Sequence, residues 1–422
     1  MKVLWVAMNP SHFDQSVKRD KYGGGGWISS LQDLVGKYAP NIQLGITFLY
    51  PHNTKKREID NVTYFPIKEN KKKGFAKLLY YWHGFKKENQ KQYLPHIQNI
   101  IQEFKPDVIH LWGVENVLGS VCLLKDVPVV AHLQGFLSLY IYTYYPYGMN
   151  KYSFKWSRFS LNEWIYKNGF IFNEKKMAKR AKVEIEYLKN VPNVIGRTHW
   201  DKNIATFNNP NVNYFHINET LRSDFYTAKK WNKPRNNKFI IFSTLSETLY
   251  KGFDLVLKTA AILKEYNSFD FEWHIAGVNN KSEYTKFFEK ICNLKTSSIN
   301  VHLLGPLQPE QIIKECLSAD LYVHPSYIDN SPNSLCEAQI LGVPIIATNV
   351  GGISSLIENN ITGHLIPANA PIDLSISIKD CYGNEEKWKD MAHKGMLLAI
   401  ERHNPKNIIN DLLKVYSSIA QN

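Results

Sequence analysis

"DNSPNSLCEAQILGVPIIATNVGG", residues 329–352, sets two carboxylates, Asp329 and Glu337, on either side of a Ser-Pro-Asn turn, then adds an apolar run and Gly351-Gly352. Ser331 followed by Pro332 reads as a helix N-cap with proline at the first helical position, so a helix is expected from about Asn333. The N–H groups of Ser334 and Leu335 would then open toward the loop that leaves the preceding apolar run, "ADLYVHPS" (319–326). A helix N-terminus carries partial positive charge and unpaired N–H groups, which suits a diphosphate. Glu337 lies within about one turn of that end and Asp329 just before it, so both can face one site at a strand's C-terminal edge. They would serve equally as carboxylates that only complement the helix dipole, and spacing leaves both readings open.

Outward from this stretch, short Val- and Ile-rich runs alternate with amphipathic ones. "KVLWVAM" (2–8), "IQLGITFLY" (42–50), "VTYFPI" (62–67), "DVIHLWG" (107–113), "VPVVAHLQG" (127–135) and "NVIGRT" (193–198) form one series. After the polar, basic stretch "TAKKWNKPRNNK" (227–238), read as a linker, the pattern restarts at "FIIFSTL" (239–245) and runs on through "FEWHIAGV", "INVHLLG", "ADLYVHPS", "PIIATNVGG" and "GHLIP". Continuous rather than alternating hydrophobicity marks strands covered on both faces, as in parallel sheets. The expected fold is therefore α/β, with two doubly wound Rossmann-like domains facing a cleft, residues 1–226 and 227–400. A final helix over 401–422, restarted by Pro405, is expected to pack back on the first domain.

With 422 residues and 44% hydrophobic content the chain can bury two such cores, and global disorder is excluded. A formal net charge of +13 calls for something acidic: nucleic acid, anionic lipid or a phosphorylated small molecule. Five scattered cysteines without metal-ligand spacing suit unpaired thiols in a reducing compartment. No apolar stretch reaches eighteen residues, which points to a cytoplasmic protein and leaves peripheral attachment to a membrane open. The tyrosine- and lysine-rich segments 68–87 and 137–159 suit a membrane interface or a sugar-bearing acceptor, and equally a solvated basic face.

Further candidates stand at predicted strand ends. "YGGGGW" (22–27) follows the first strand; Gly25 and Gly26 there let backbone approach a ligand closely, though neither common nucleotide-loop spacing is met. Lys251, in "YKGFD", stands where a lysine neutralises a phosphate or simply starts a helix in solvent. His132 and Gln134 share one face of a strand end, and His110 sits similarly in "IHLWG". No D-x-D pair occurs, so a metal-bridged site of that type is not supported.

Taken jointly, "HPSYIDNSPNSLCEAQILGVPIIATNVGGISSLI", "LYKGFDL", "NETLRSDFY", "GRTHWDKN", "VVAHLQG" and "PDVIHLWG" resemble, in order, the motifs of the retaining glycosyltransferases of family 4, which have the GT-B architecture. The resemblance implies that Glu337 binds the nucleotide ribose, with Ser334, Leu335, Gly25, Gly26, Gly351 and Gly352 lining the nucleotide-sugar site. It makes Lys251 the ligand of the donor phosphates and puts Asp329, one methylene shorter than the family's glutamate, at the transferred sugar. Thr244 stands where the family has a second phosphate-binding arginine, a role left to Arg197 or Arg222. His132 or Gln134 is implied to reach the sugar. The expected activity is retaining, metal-independent transfer from a nucleoside diphosphate sugar (UDP- or GDP-sugar) to a glycan or lipid-linked glycan hydroxyl, with no cofactor and no nucleic-acid partner, in cell-surface polysaccharide synthesis. The alternatives are a retaining phosphorylase or sucrose-synthase-like enzyme on the same fold, or a non-catalytic binding relative.

Overall fold

The computed structural model describes residues 1–13, 26–69, 92–155, 169–266 and 269–421. Most of the glycine loop, including Gly25, and most of the basic segment 68–87 lie outside the described residues. The chain divides into two compact units: Met1–Tyr142, Lys151–Thr220 and Pro405–Asn422 form one, Thr143–Asn150 and Leu221–Asn404 the other.

The first unit is built on an eight-stranded sheet: β1 (Lys2–Ala7), β2 (Gln43–Tyr50), β3 (Arg57–Ile59), β4 (Val62–Lys68), β5 (Val108–Trp112), β6 (Val129–His132), β7 (Asn193–Gly196) and β8 (Asn213–His216). Their spatial order is β3-β4-β2-β1-β5-β6-β7-β8, parallel throughout except for the antiparallel pair β3–β4. The six apolar runs read from the sequence all become strands. The short β3 and β8 stand at the two edges of the sheet and contain no fully buried residue, so no continuous apolar run marks them. Every residue of β5, β6 and β7 is buried, as expected of strands covered on both faces.

One face is covered by helix Gly26–Tyr38 and by the last helix, Pro405–Ala420. In the latter Ile408, Leu412, Val415, Tyr416 and Ile419 recur at helical spacing and enter the same core as Val3, Trp5 and Ile46. Burying each large apolar side chain contributes about 1.5–3 kcal/mol, enough to hold this helix on the sheet.

The second unit carries a six-stranded, wholly parallel sheet: β9 (Phe239–Thr244), β10 (Phe271–Ala276), β11 (Val301–Gly305), β12 (Leu321–His324), β13 (Ile345–Thr348) and β14 (His364–Ile366). Its order is β11-β10-β9-β12-β13-β14, so the sequence of strands reverses between β9 and β12. Ligands of open α/β sheets bind at such a switch point, beyond the strands' C-terminal ends.

Two expectations change. The second unit begins at Leu221, not at 227, because Leu221 and Phe225 join its core. The basic stretch 227–238 is no free linker: Trp231 donates from its backbone N–H to the Leu341 carbonyl and from Nε1 to the Ala319 carbonyl, both at 2.7 Å. Lys233 pairs with Asp320 at 2.7 Å. Polar composition suggested a loop in solvent, yet the aromatic ring and the buried aspartate fasten it to the unit it precedes.

Candidate functional site

In the second unit the candidate residues gather around the loops after β9, β12 and β13. Lys251 ends a short 3-10 turn, Leu249–Lys251, just after β9. Gly252 takes φ +76°, and a Cβ there would run into the Pro325 carbonyl. The Tyr327 N–H donates to the Tyr250 carbonyl at 2.8 Å. The Lys251 turn is thereby laid against the loop leaving β12, and the ammonium meets Asp329: Lys251 Nζ stands 2.6 Å from Asp329 Oδ2.

His324, the last residue of β12, brings Nε2 to 3.2 Å from the same oxygen. Burial alone would raise the Asp329 carboxyl; the Lys251 ammonium, with His324, outweighs it and holds the group below the usual carboxylate range. Burial likewise works against the Lys251 charge, and Asp329 raises its pKa above the ordinary lysine value. Both charges therefore persist at neutral pH.

The sharp loop is held from behind by the two glycines. Gly351, at φ +54°, would drive a Cβ into the Asp329 carbonyl oxygen, and the Gly352 N–H donates to that oxygen at 3.0 Å. Their close backbone approach is thus to the Asp329 loop. Gly351→Ala is expected to cost at least about 2 kcal/mol, from left-handed strain and steric overlap together. Denaturant unfolding checks this, and unchanged stability would refute the packing role.

The helix predicted from about Asn333 spans Asn333–Leu341. Ser331 is not its N-cap: Pro332 occupies that position and no side chain caps the end. The Leu335 N–H is not open either, because it and the Cys336 N–H donate to the Pro332 carbonyl at 3.0 and 3.2 Å. The proline supplies a carbonyl in extended geometry that the tightened first turn uses. Ser334 keeps an open amide among the described residues, and its hydroxyl bonds that of Tyr322.

Thr244 also reaches Tyr322, at 2.7 Å between hydroxyls, so the position lacking an arginine ends in a neutral hydroxyl chain.

Glu337 is 3% exposed and bidentate to a residue that no local pattern announces. Arg222 Nε donates to Oε1 and Nη2 to Oε2, both at 2.6 Å. Burial pushes the Glu337 carboxyl up, opposed by the guanidinium, whose own pKa is raised by the pairing. Arg222 is thereby committed to Glu337, as an ion pair within the second unit. Arg197 is committed within the first unit, to Glu219 at 2.5 Å and to the Leu133 and Gln134 carbonyls at 3.2 Å.

In the first unit, Trp112 and His132 are register partners at the ends of β5 and β6. Their rings stack at 4.8 Å, and His110, two residues before Trp112 in β5, stacks on Trp112 at 4.1 Å. Gly26 opens the helix whose second residue, Trp27, lies edge-on to Trp112 at 4.6 Å. Gln134 Nε2 donates back to the His132 carbonyl at 3.1 Å, so Gln134 closes the strand end while the His132 ring is 3% exposed.

Burial lowers the His110 pKa to about 3 and that of His132 well below the ordinary value. Both are neutral when folded and protonate on unfolding near pH 6.5. Native stability from these groups is present above pH 6.5 and declines as pH falls below it, by about 1.4 kcal/mol per pH unit for each histidine. Urea unfolding between pH 7 and 5 measures this slope, and His110→Gln should reduce it. An unchanged slope would mean the ring charges freely in the fold.

His324 is the functional candidate that sequence reading missed, although it carried the strand-end signal already applied to His110 and His132. Arg222 was named only as a stand-in for a phosphate-binding arginine; its pairing with Glu337 carried no local signal, the two being 115 residues apart.

Comparison with known proteins bears on these sites. Residues 225–397 match the family model of glycosyl transferases group 1. A D-inositol 3-phosphate glycosyltransferase of Paenarthrobacter aurescens (strain TC1) is 30% identical over 143 residues, 34% of this chain and 35% of that protein. The chain therefore spans about a third of that relative's length. Over the whole chain, the sucrose-phosphate synthase from Thermosynechococcus elongatus superposes with TM-score 0.70 at 12% identity, covering 99% of this chain and 98% of that one. Anabaena Alr3699/HepE, solved in complex with UDP-glucose, gives TM-score 0.64 at 15% identity, covering 99% and 100%. The fold is GT-B, two α/β units, the first on a mostly parallel sheet and the second on a wholly parallel one.

Proposed function

We propose that the protein is a glycosyltransferase that moves a sugar from a nucleoside diphosphate sugar to a hydroxyl of a glycan or lipid-linked glycan, with retention of anomeric configuration and without a metal ion, in cell-surface polysaccharide synthesis. The observation that carries this reading is Lys251, held 2.6 Å from Asp329 beyond the β9/β12 switch point. It lies in the segment that matches glycosyl transferases group 1.

An arriving diphosphate competes with Asp329 for the Lys251 ammonium and meets the open end of helix Asn333–Leu341. Negative charge grows on the departing phosphate in the transition state, and a fixed cation stabilises it there more than in the ground state. Asp329, released from the pair, faces the sugar. Glu337 takes the ribose hydroxyls, its second lone pairs remaining on Arg222. The leaving phosphate accepts the acceptor's proton, so no strong protein base is needed.

A small phosphorylated acceptor is the second reading. The formal charge of +13 and the similarity to the D-inositol 3-phosphate glycosyltransferase of P. aurescens favour it.

The test is a panel of UDP-, GDP- and ADP-sugars, first by thermal shift and then by nucleotide release with glycan and with sugar- or inositol-phosphate acceptors. Ligand binding to the native state raises its melting temperature. Release with one donor, undiminished by EDTA, is the expected result. Binding without release in any acceptor pair would leave a non-catalytic protein, and loss of release in EDTA would remove the metal-free mechanism.

A further inference from the structure

Four side chains of the first unit form a single buried line: Trp5 in β1, Tyr416 in the last helix, His110 in β5 and His132 in β6. Trp5 Nε1 stands 3.1 Å from Tyr416 Oη. Tyr416 Oη is 2.6 Å from His110 Nδ1, and His110 Nε2 is 3.2 Å from His132 Nδ1. His132 Nε2, at the far end, is buried and has no hydrogen-bond partner among the described residues. All four residues are at most 3% exposed.

The protons in this line can be placed from one end. An indole Nε1 only donates, so Tyr416 accepts from Trp5. The Tyr416 hydroxyl proton then needs an acceptor, and among the described residues His110 Nδ1 is the one it meets. His110, neutral in a buried site, must carry its proton on Nε2 and donate it to His132 Nδ1. His132 is left with its proton on Nε2. Running the line the other way strands the Tyr416 hydroxyl proton without an acceptor and leaves a bare nitrogen at His132. Buried polar groups are rarely left unpaired, so the first direction is favoured.

We propose that Tyr416, oriented by Trp5, is a positioning residue that acts through His110 to hold His132 as the neutral Nε2–H tautomer. His132 therefore meets its ligand as a hydrogen-bond donor to an acceptor oxygen, such as that of a sugar hydroxyl, and not as a base. A second observation points the same way: Trp112 Nε1, on the ring stacked against His132, is likewise buried without a partner among the described residues and can only donate. Trp112 and His132 thus present two neutral donors at the strand ends. The last helix, through Tyr416, becomes part of the ligand-facing chemistry. The role of His132 in turnover rests on the glycosyltransferase reading; the tautomer does not.

The test uses the full chain labelled with 15N-histidine. Long-range 1H–15N spectra report which ring nitrogen carries the proton, with His110→Gln and His132→Gln identifying the two signals. Both rings should show a protonated Nε2 and an unprotonated Nδ1 in the unsubstituted protein. A protonated Nδ1 on His132 would overturn the proposal without any variant. In Tyr416→Phe, and again in Trp5→Phe, the two signals should move toward a mixture of tautomers. With the donor that supports release in the panel above, Tyr416→Phe should lower kcat about tenfold at unchanged donor KM. Unmoved tautomers, or full kcat with mixed tautomers, would overturn the positioning role. If no donor turns over, the function reading fails while the spectra still decide the tautomer.

Discussion

Lys251→Ala is expected to lower nucleotide release from the donor sugar by about a thousandfold and to destabilise the fold by about 3 kcal/mol. The two losses have separate causes. Turnover falls because, among the described residues, no other lysine or arginine pairs with Asp329 to meet the charge that develops on the departing diphosphate. Stability falls because Asp329, 8% exposed, keeps a charge that had been matched at 2.6 Å. Its pKa, now raised by burial and opposed by His324 and by the Asn330 N–H at 3.2 Å, should return into the measurable carboxylate range. The double variant Lys251→Ala/Asp329→Ala separates these effects. It should recover most of the lost stability, since no unpaired charge remains, and none of the turnover. Restored turnover in the double variant would mean that Lys251 serves the fold alone.

Glu337→Ala should weaken donor binding on the order of a hundredfold, as a site built to accept hydroxyl protons loses its acceptor. It also strands the Arg222 guanidinium, whose two 2.6 Å bonds both go to this carboxylate, at an expected cost of about 3 kcal/mol. Asp329→Ala should behave differently: donor affinity nearly kept, kcat strongly reduced. Calorimetric titration of the donor against initial rates distinguishes binding from turnover. Equal, wild-type behaviour of both variants would remove the site assignment. If Arg222→Ala restores the stability of Glu337→Ala without restoring affinity, the carboxylate itself is the donor ligand.

Much of this was legible beforehand. Every apolar run read as a strand became one, because a strand buried on both faces must be apolar throughout. The restart at Phe239 marked the second sheet for the same reason. The break before Pro405 located the last helix. Local chemistry misled where a polar stretch hid a single large anchor, as at Trp231. It misled again where the proline and not the serine supplied the helix-end acceptor. The pair Gly351-Gly352, which the resemblance implied to line the nucleotide-sugar site, makes its tight contact with the Asp329 backbone.

The sequence by itself determined the two parallel sheets, the order of their strands along the chain and the loops on which Lys251, Asp329 and Glu337 sit. These depend on hydrophobic period and turn chemistry, which act over a few residues. Only the tertiary structure decided the partners. Lys251 meets Asp329 across 78 residues, Arg222 meets Glu337 across 115, and Tyr416 meets His110 across 306. A buried charge or hydrogen bond takes whichever complementary group the packing brings within about 3 Å, and the cost of leaving it unmatched selects that group regardless of its distance along the chain.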